Sequence, residues 1–332
     1  MAKNLLSKCF RFGGSGRHHE NAGGGHNLRV PHYEGGETDP ANDATMRLKA
    51  GTETADTGRM RYHLRILPIL AIVFAFSASA ASAATPPQAG FIVFKDMGRT
   101  RGVVEFRDKA TGRIVASSVT SGGKTGNGTA CGDSRHTFIG ARWASVPTYR
   151  INAASVPANL DEGLTRAQLV DGQEAWEGHF RTDCSTIPGR SPFNATDGGN
   201  TSRDSTLVSE LTRDGVNTLA FQSLAGTICD GALACVVTDY DRGRINESDM
   251  AFEEDLPRYG FLDFWTNDST TWTDSFGGRF AISDVGTHEF GHVVGLAHSK
   301  RSPALTMFPF IHDGDETLGL GDMKGVLARY GG

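Results

Sequence analysis

The 332-residue chain lacks the features of several protein classes. Its apolar run, Ile66 to Phe76, falls short of the roughly 20 residues that a membrane-spanning helix needs. With 33 Lys and Arg against 38 Asp and Glu, a net charge of −5, it has no basic excess to draw it to nucleic acid. No internal repeat is present, which leaves no basis for a solenoid or a repeat array. Cysteine is scarce, at five residues. What remains, 38% hydrophobic and 21% charged, is an ordinary globular composition with length enough for one or two cores.

Residues 1–58 are rich in Gly, His and polar side chains without a sustained apolar period, and read as a disordered or untranslated leader. Arg59-Met-Arg-Tyr-His-Leu-Arg65 then supplies a basic flank, Ile66 to Phe76 an apolar core, and Ser77 to Ala84 an Ala-x-Ala site. Together residues 59–84 read as a secretory signal peptide, with the start at Met46 or Met60 and a mature N-terminus near Ala84 or Thr85. The competing reading is a signal anchor behind a cytosolic tail. Export predicts a secreted, extracellular monomer with no stable membrane association after signal cleavage. The Asn-x-Ser/Thr sites at Asn127, Asn194, Asn200, Asn246 and Asn267 matter only if the secreting cell glycosylates.

The chemistry concentrates in His288-Glu-Phe-Gly-His-Val-Val-Gly-Leu-Ala-His-Ser299. His288 and His292 stand four apart, so on a helix both project from one face, at the spacing that grips one tetrahedral Zn²⁺. Glu289 lies about 100° further round, able to reach a water on the metal without becoming a ligand. Gly295 sits where a helix ends in the left-handed conformation that glycine adopts cheaply. The chain can then turn and bring up His298 as third ligand. Three imidazoles leave a fourth position open, which a catalytic zinc needs and a structural zinc lacks.

This stretch resembles the extended zinc motif of the metzincin metallopeptidases, and Ser299 after the third His points to the matrixins within them. Met307, in Ala304-Leu-Thr-Met-Phe-Pro309, looks like the Met-turn, one residue further on than in the matrix metalloproteinase pattern. The resemblance implies an α+β fold: a metzincin or zincin-like catalytic domain over 131–332, with a twisted, mainly parallel sheet, a zinc-binding helix and a C-terminal helix. It also implies that Pro309 and Phe310 wall the pocket for the side chain after the scissile bond. His136, His179 and His312 do not reproduce the second, structural zinc site of matrix metalloproteinases and read as surface histidines. Nothing like a propeller module is expected after Gly332.

The coarse order fits. Phe91–Phe94, Val103–Phe106 and Ile114–Val119, broken by glycines, predict a small β-rich N-terminal segment over 85–130. That segment is placed as a propeptide would be, and Ser121 to Thr129 reads as a linker or exposed loop. Beyond it come a strand at Pro147–Ile151 and a helix ending near Trp176. Thr165 and Gln168 read as the capping box of that helix, Leu164 and Leu169 as its hydrophobic staple, and Gly172 weakens its middle. Strands follow at Thr218–Phe221, Ala234–Tyr240 and Asp249–Phe252. Met323, Val326, Leu327 and Tyr330 place a last amphipathic helix.

Cys131, Cys184, Cys229 and Cys235 in an exported chain predict two disulfides, with three connectivities open. Cys229–Cys235, closing a short loop before a strand, with Cys131–Cys184, is the favoured pairing. The alternative makes Cys131 a latency thiolate on the zinc, as in matrix metalloproteinase propeptides; Ala-Cys-Gly-Asp-Ser lacks the flanking pattern of that switch. Asp239-x-Asp241-x-Gly243, with Glu247 and Asp249 after it, is either a Ca²⁺ site or a solvated acidic loop. The expected activity is zinc-dependent hydrolysis of protein or peptide substrates with Glu289 as general base. The alternative is a secreted zinc-binding module for adhesion or binding, without turnover.

Overall fold

A computed structural model describes residues 88–97, 101–121, 129–254, 264–268, 279–299, 303–312 and 314–331. The leader, the signal peptide, Asn127 and most of the expected linker lie outside these residues. In chain order the strands are β1 (Ala89–Asp96), β2 (Arg101–Asp108), β3 (Ile114–Ser121), β4 (Thr137–Phe138), β5 (Arg142–Trp143) and β6 (Thr148–Ile151). Helix α1 (Glu162–Glu174), β7 (Thr196–Asn200), α2 (Thr206–Glu210), β8 (Asn217–Gln222), β9 (Ala234–Asp241) and β10 (Arg244–Glu253) follow. Then come β11 (Trp265–Thr266), β12 (Phe280–Ala281), α3 (Ile282–Val294), β13 (Leu296–Ala297) and α4 (Leu320–Tyr330). No helix among the described residues is long and apolar enough to cross a membrane.

Among the described residues one sheet of nine strands runs β3-β2-β1-β9-β10-β8-β6-β7, with β5 added to β10. The expected mainly parallel sheet is therefore mixed. β10, β8, β6 and β7 are parallel neighbours, whereas β9 is antiparallel to β10 and to β1, and β1, β2 and β3 form an antiparallel meander. The reasons are the antiparallel β9–β10 hairpin and the N-terminal segment. That segment does not make a small sheet of its own but pairs along the whole of β9, from Ala89 opposite Asp241 to Asp96 opposite Ala234. The β9–β10 hairpin closes through Arg242 and Gly243, both at positive φ (48° and 73°), the requirement of a tight turn that follows the strand twist.

β1 is buried on both faces, and its alternation sorts two cores. Ile92 and Phe94 join the main cluster with Tyr149, Trp176, Phe221, Phe252, Phe290 and Met307. Phe91 and Val93 face the other way, onto Leu207, Val208, Leu224 and the Cys229 and Cys235 side chains. Both expected disulfides are present, Cys131–Cys184 and Cys229–Cys235. This removes the latency-thiolate reading of Cys131.

The N-cap of α1 lies four residues before the expected one. Asp161 is its N-cap, accepting from the Leu164 N–H at 2.7 Å. Thr165 is instead a buried helix residue whose hydroxyl accepts from Asn267 Nδ2, and Leu164 is exposed. Gly172 has a packing role: a Cβ there would stand 3.1 Å from the Thr287 amide nitrogen, so α1 and α3 cross in close contact.

Candidate metal centre

Every residue of α3 is buried, so its polar face must be satisfied by protein. Its end is fixed by Gly295, at φ 105°, whose N–H reaches back to the Gly291 and His292 carbonyls. A Cβ at Gly295 would also stand 2.9 Å from the Ala141 carbonyl oxygen, so the turn excludes larger residues twice over. The last-turn carbonyls, which a helix cannot satisfy itself, take outside donors. Trp143 Nε1–H donates to the Val293 oxygen at 2.9 Å and the Tyr330 hydroxyl to the Val294 oxygen at 2.6 Å. Further back, Trp176 Nε1–H donates to the Thr287 oxygen at 2.8 Å.

The Gly295 turn carries His298 back over α3, and the three imidazoles meet. His292 Nε2 and His298 Nε2 are 3.1 Å apart. His288 Nδ1 faces the Thr306 carbonyl oxygen at 2.5 Å, and His292 Nδ1 the Leu296 carbonyl oxygen at 3.0 Å. A carbonyl can only accept, so each Nδ1 carries the proton and each Nε2 presents a bare lone pair. His288 Nε2 has no hydrogen-bond partner. His298 Nδ1 has no partner, and its Nε2, 3.1 Å from His292 Nε2, is 2.7 Å from Asp96 Oδ1. Nitrogens at the usual zinc distance on a tetrahedron stand about 3.3 Å apart, so the donor set fits the ion.

Beneath the cluster, Met307 is buried against α3 at Gly291, where an added Cβ would collide with Met307 Sδ and the Trp176 ring. The Met307 carbonyl accepts from the Ser299 N–H at 2.6 Å, closing the loop below His298. Asp322, at the start of α4, accepts from the N–H groups of Thr306 and Gly319 at 2.9 Å and of Met307 at 3.3 Å. One carboxylate thus ties α4, the Met307 turn and the carbonyl that orients His288.

Asp96 was not among the expected site residues. This residue, at the end of β1, stands in the centre of the cluster: Oδ1 is 2.7 Å from His298 Nε2 and 3.6 Å from His288 Nε2, and Oδ2 is 3.2 Å from His292 Nε2. Among the described residues, Asp96, His288, His292 and His298 are the group of metal-type side chains that converge. Phe94, two residues earlier on the same strand face, stacks on His292 with ring centroids 4.0 Å apart. The one available signal was an acid continuing the inward-facing series Ile92, Phe94, Asp96.

All these groups are closed off: Asp96 is 1% exposed, His298 2%, and His288, Glu289 and His292 0%. Burial raises the Glu289 carboxyl well above its ordinary range, and the neighbouring Asp96 charge adds to this. Burial works against an Asp96 carboxylate too, but the imidazoles, His298 first, hold it well below the usual value. Burial depresses His292 to about 4.

Other expected residues lie elsewhere. Pro309 and Phe310 are both buried rather than lining an open pocket, and Pro309 lies against the same Gly102 that faces the His298 ring. The calcium reading of Asp239 and Asp241 finds no converging acidic group among the described residues. Asp239 is neutralised instead by Lys109 at 2.5 Å and Arg213 at 3.5 Å. Glu247 accepts from the Asp214 and Gly215 N–H groups, and Asp249 from those of Leu207 and Thr218. His179 is exposed, whereas His136 and His312 are half-buried.

A helix carrying two histidines one turn apart, a glycine turn, and a third histidine over a buried methionine together form a candidate metal centre. The matrixin family model matches residues 221–331, and the chain carries a matrixin-like metallopeptidase domain. It is 37% identical over 75 residues to interstitial collagenase of Equus caballus, 23% of this chain and 16% of that protein. With interstitial collagenase of Bos taurus it shares 38% over 65 residues, 20% of this chain and 14% of that protein. The matches thus span about a sixth or less of the relatives' length.

Proposed function

We propose that the chain is an exported zinc-dependent endopeptidase, in which His288, His292 and His298 hold the metal and Glu289 is the general base. The convergence of three imidazole Nε2 atoms, two of them oriented by backbone carbonyls, carries this reading. A zinc ion held there would lower the pKa of a coordinated water from ~15.7 towards ~7 and polarise the scissile carbonyl. Glu289 takes the proton of the attacking water and delivers it to the leaving amine. Asp322 and the Thr306 carbonyl keep the His288 ring and its tautomer fixed. Pro309 and Phe310 wall the pocket for the residue after the cleaved bond, by likeness to matrixins.

The 0–2% exposure of the centre favours a second reading, a closed zinc-holding module without turnover. Casein hydrolysis separates the two. Cleavage by the Asp96→Ala chain that a chelator abolishes and zinc restores is expected of the peptidase. Stoichiometric zinc with no cleavage, in that chain and after limited proteolysis, would leave only the module.

A further inference from the structure

We infer that the β1–β2 hairpin is a built-in plug, in which Asp96 supplies the fourth metal ligand and keeps the full chain latent. The inference rests on the metal reading above and goes beyond it.

Four observations converge. The Asp96 carboxylate lies within 2.7–3.6 Å of all three Nε2 atoms, in the position that a reacting water or carbonyl must take. Charge agrees: a dication would balance the wholly buried Asp96 carboxylate, which the closed site otherwise holds against imidazoles alone. The hairpin also covers the approach. Gly102 pairs directly with Asp96 across β1 and β2, and a Cβ at Gly102 would run into the His298 ring and stand 2.8 Å from Pro309 Cβ. Only a residue without a side chain lets β2 lie this close, so β2 seals the expected pocket wall while β1 delivers the ligand. Finally, β1 fills the antiparallel edge of β9, where an extended peptide would otherwise add as a strand.

The attachment is strong but not covalent to the body. Both disulfides join residues from Cys131 onward, and residues 85–130 contain no cysteine. Lys95 and Arg107 pair with Glu105 inside the hairpin, which leaves it a unit that can leave together. Opening requires losing the Asp96 contact, the Phe94–His292 stack, the Lys109–Asp239 ion pair and the β1–β9 ladder as one event.

The test uses the full chain loaded with Co²⁺, whose visible spectrum reports the ligands, and acetohydroxamate as a small probe of the fourth position. The wild type should bind one Co²⁺ and resist the probe, while Asp96→Ala and the isosteric Asp96→Asn should change the spectrum and take it up. For a chain open 1% of the time the apparent affinity difference is about 100-fold. Gly102→Val, which keeps Asp96 but cannot seat against His298, should shift uptake the same way. Casein cleavage should rise in parallel. Equal spectra and equal probe uptake in wild type and Asp96→Asn would overturn the plug. Absence of stoichiometric Co²⁺ from the wild type would sink the metal reading and the plug with it. An opened spectrum without casein cleavage would sustain the plug and sink the peptidase.

Discussion

Two elements meet over the metal centre, and they are built on opposite principles. α3 holds His288, Glu289 and His292 within five consecutive residues, and a glycine turn brings His298 back from six residues further on. Its chemistry is local: helical periodicity alone decides which side chains share a face. β1 contributes a single acid at the end of an apolar strand, and that acid reaches the centre only because the strand pairs with β9. The helix therefore announces its site in the sequence, whereas the strand conceals its own. Both are wholly enclosed, but α3 is enclosed by the body and β1 encloses it.

The sharpest way to break this contrast is to remove a ligand on the helix side. His298→Ala leaves two imidazoles, and zinc content by elemental analysis should fall far below one per chain, with part of the loss reversed by excess zinc. A variant retaining tightly held, stoichiometric zinc would end the assignment. The next effect belongs to Glu289. In an Asp96→Ala chain, adding Glu289→Gln should keep the zinc and lower turnover by about 10²–10⁴-fold, because the amide cannot accept a proton. Nearly full activity would exclude Glu289 as the base.

A smaller loss is expected where the helix rests on its floor. Gly291→Ala drives a methyl into Met307 Sδ and the Trp176 ring, an overpacking cost of about 1–3 kcal/mol in chemical denaturation. An unchanged midpoint would mean that the Met307 turn yields freely. The smallest effect tests the outer cover of β1. Asp249, pushed up to about 7 chiefly by burial, accepts from Ser205 Oγ and the Leu207 N–H. It thereby holds the start of α2, whose Leu207 and Val208 lie against Phe91 and Val93. The folded chain keeps this proton to higher pH than the unfolded chain, whose Asp titrates near ~3.9. Its contribution to stability is therefore full below about pH 4 and is lost as pH rises through 7, by at most about 1.4 kcal/mol per unit. Denaturation midpoints of wild type and Asp249→Asn, followed from pH 4 to 8, should diverge in slope; parallel curves would exclude Asp249 as the source.

The same contrast explains what could be read beforehand. The order of the long strands and helices, the three histidines, Glu289, the Gly295 turn and the cysteine pairing all follow from spacing or composition. β7, Thr-Asp-Gly-Gly-Asn, has the composition of a turn and is a strand only because β6 offers it hydrogen bonds. The five residues of α2 are too few to show a period, and its Ser205 cap, accepting from the Val208 N–H, is seen only in the fold. Thr165 and Gln168 imitate a capping box, but Asp161 takes the role and both side chains turn to Asn267 instead. The acids from Asp239 to Asp249 suggested calcium because spacing does not reveal which of them meet a lysine, an arginine or a backbone N–H. Asp96 is the extreme case, since its partners lie at the other end of the chain.

That distance has a consequence for how the molecule comes into being. Asp96 and His298 are 202 positions apart, and β1 must wait for β9 before it has a strand to pair with. During synthesis the apolar β1 therefore emerges early and stays unpaired while most of the chain is still being made. Contacts of such long range close slowly, because the loop between them must first be ordered. The metal centre is thus among the last parts to assemble, and the strand that closes it is present from the start. A newly folded chain on this plan passes through no stage in which α3 is complete, the metal is bound and β1 has yet to be made.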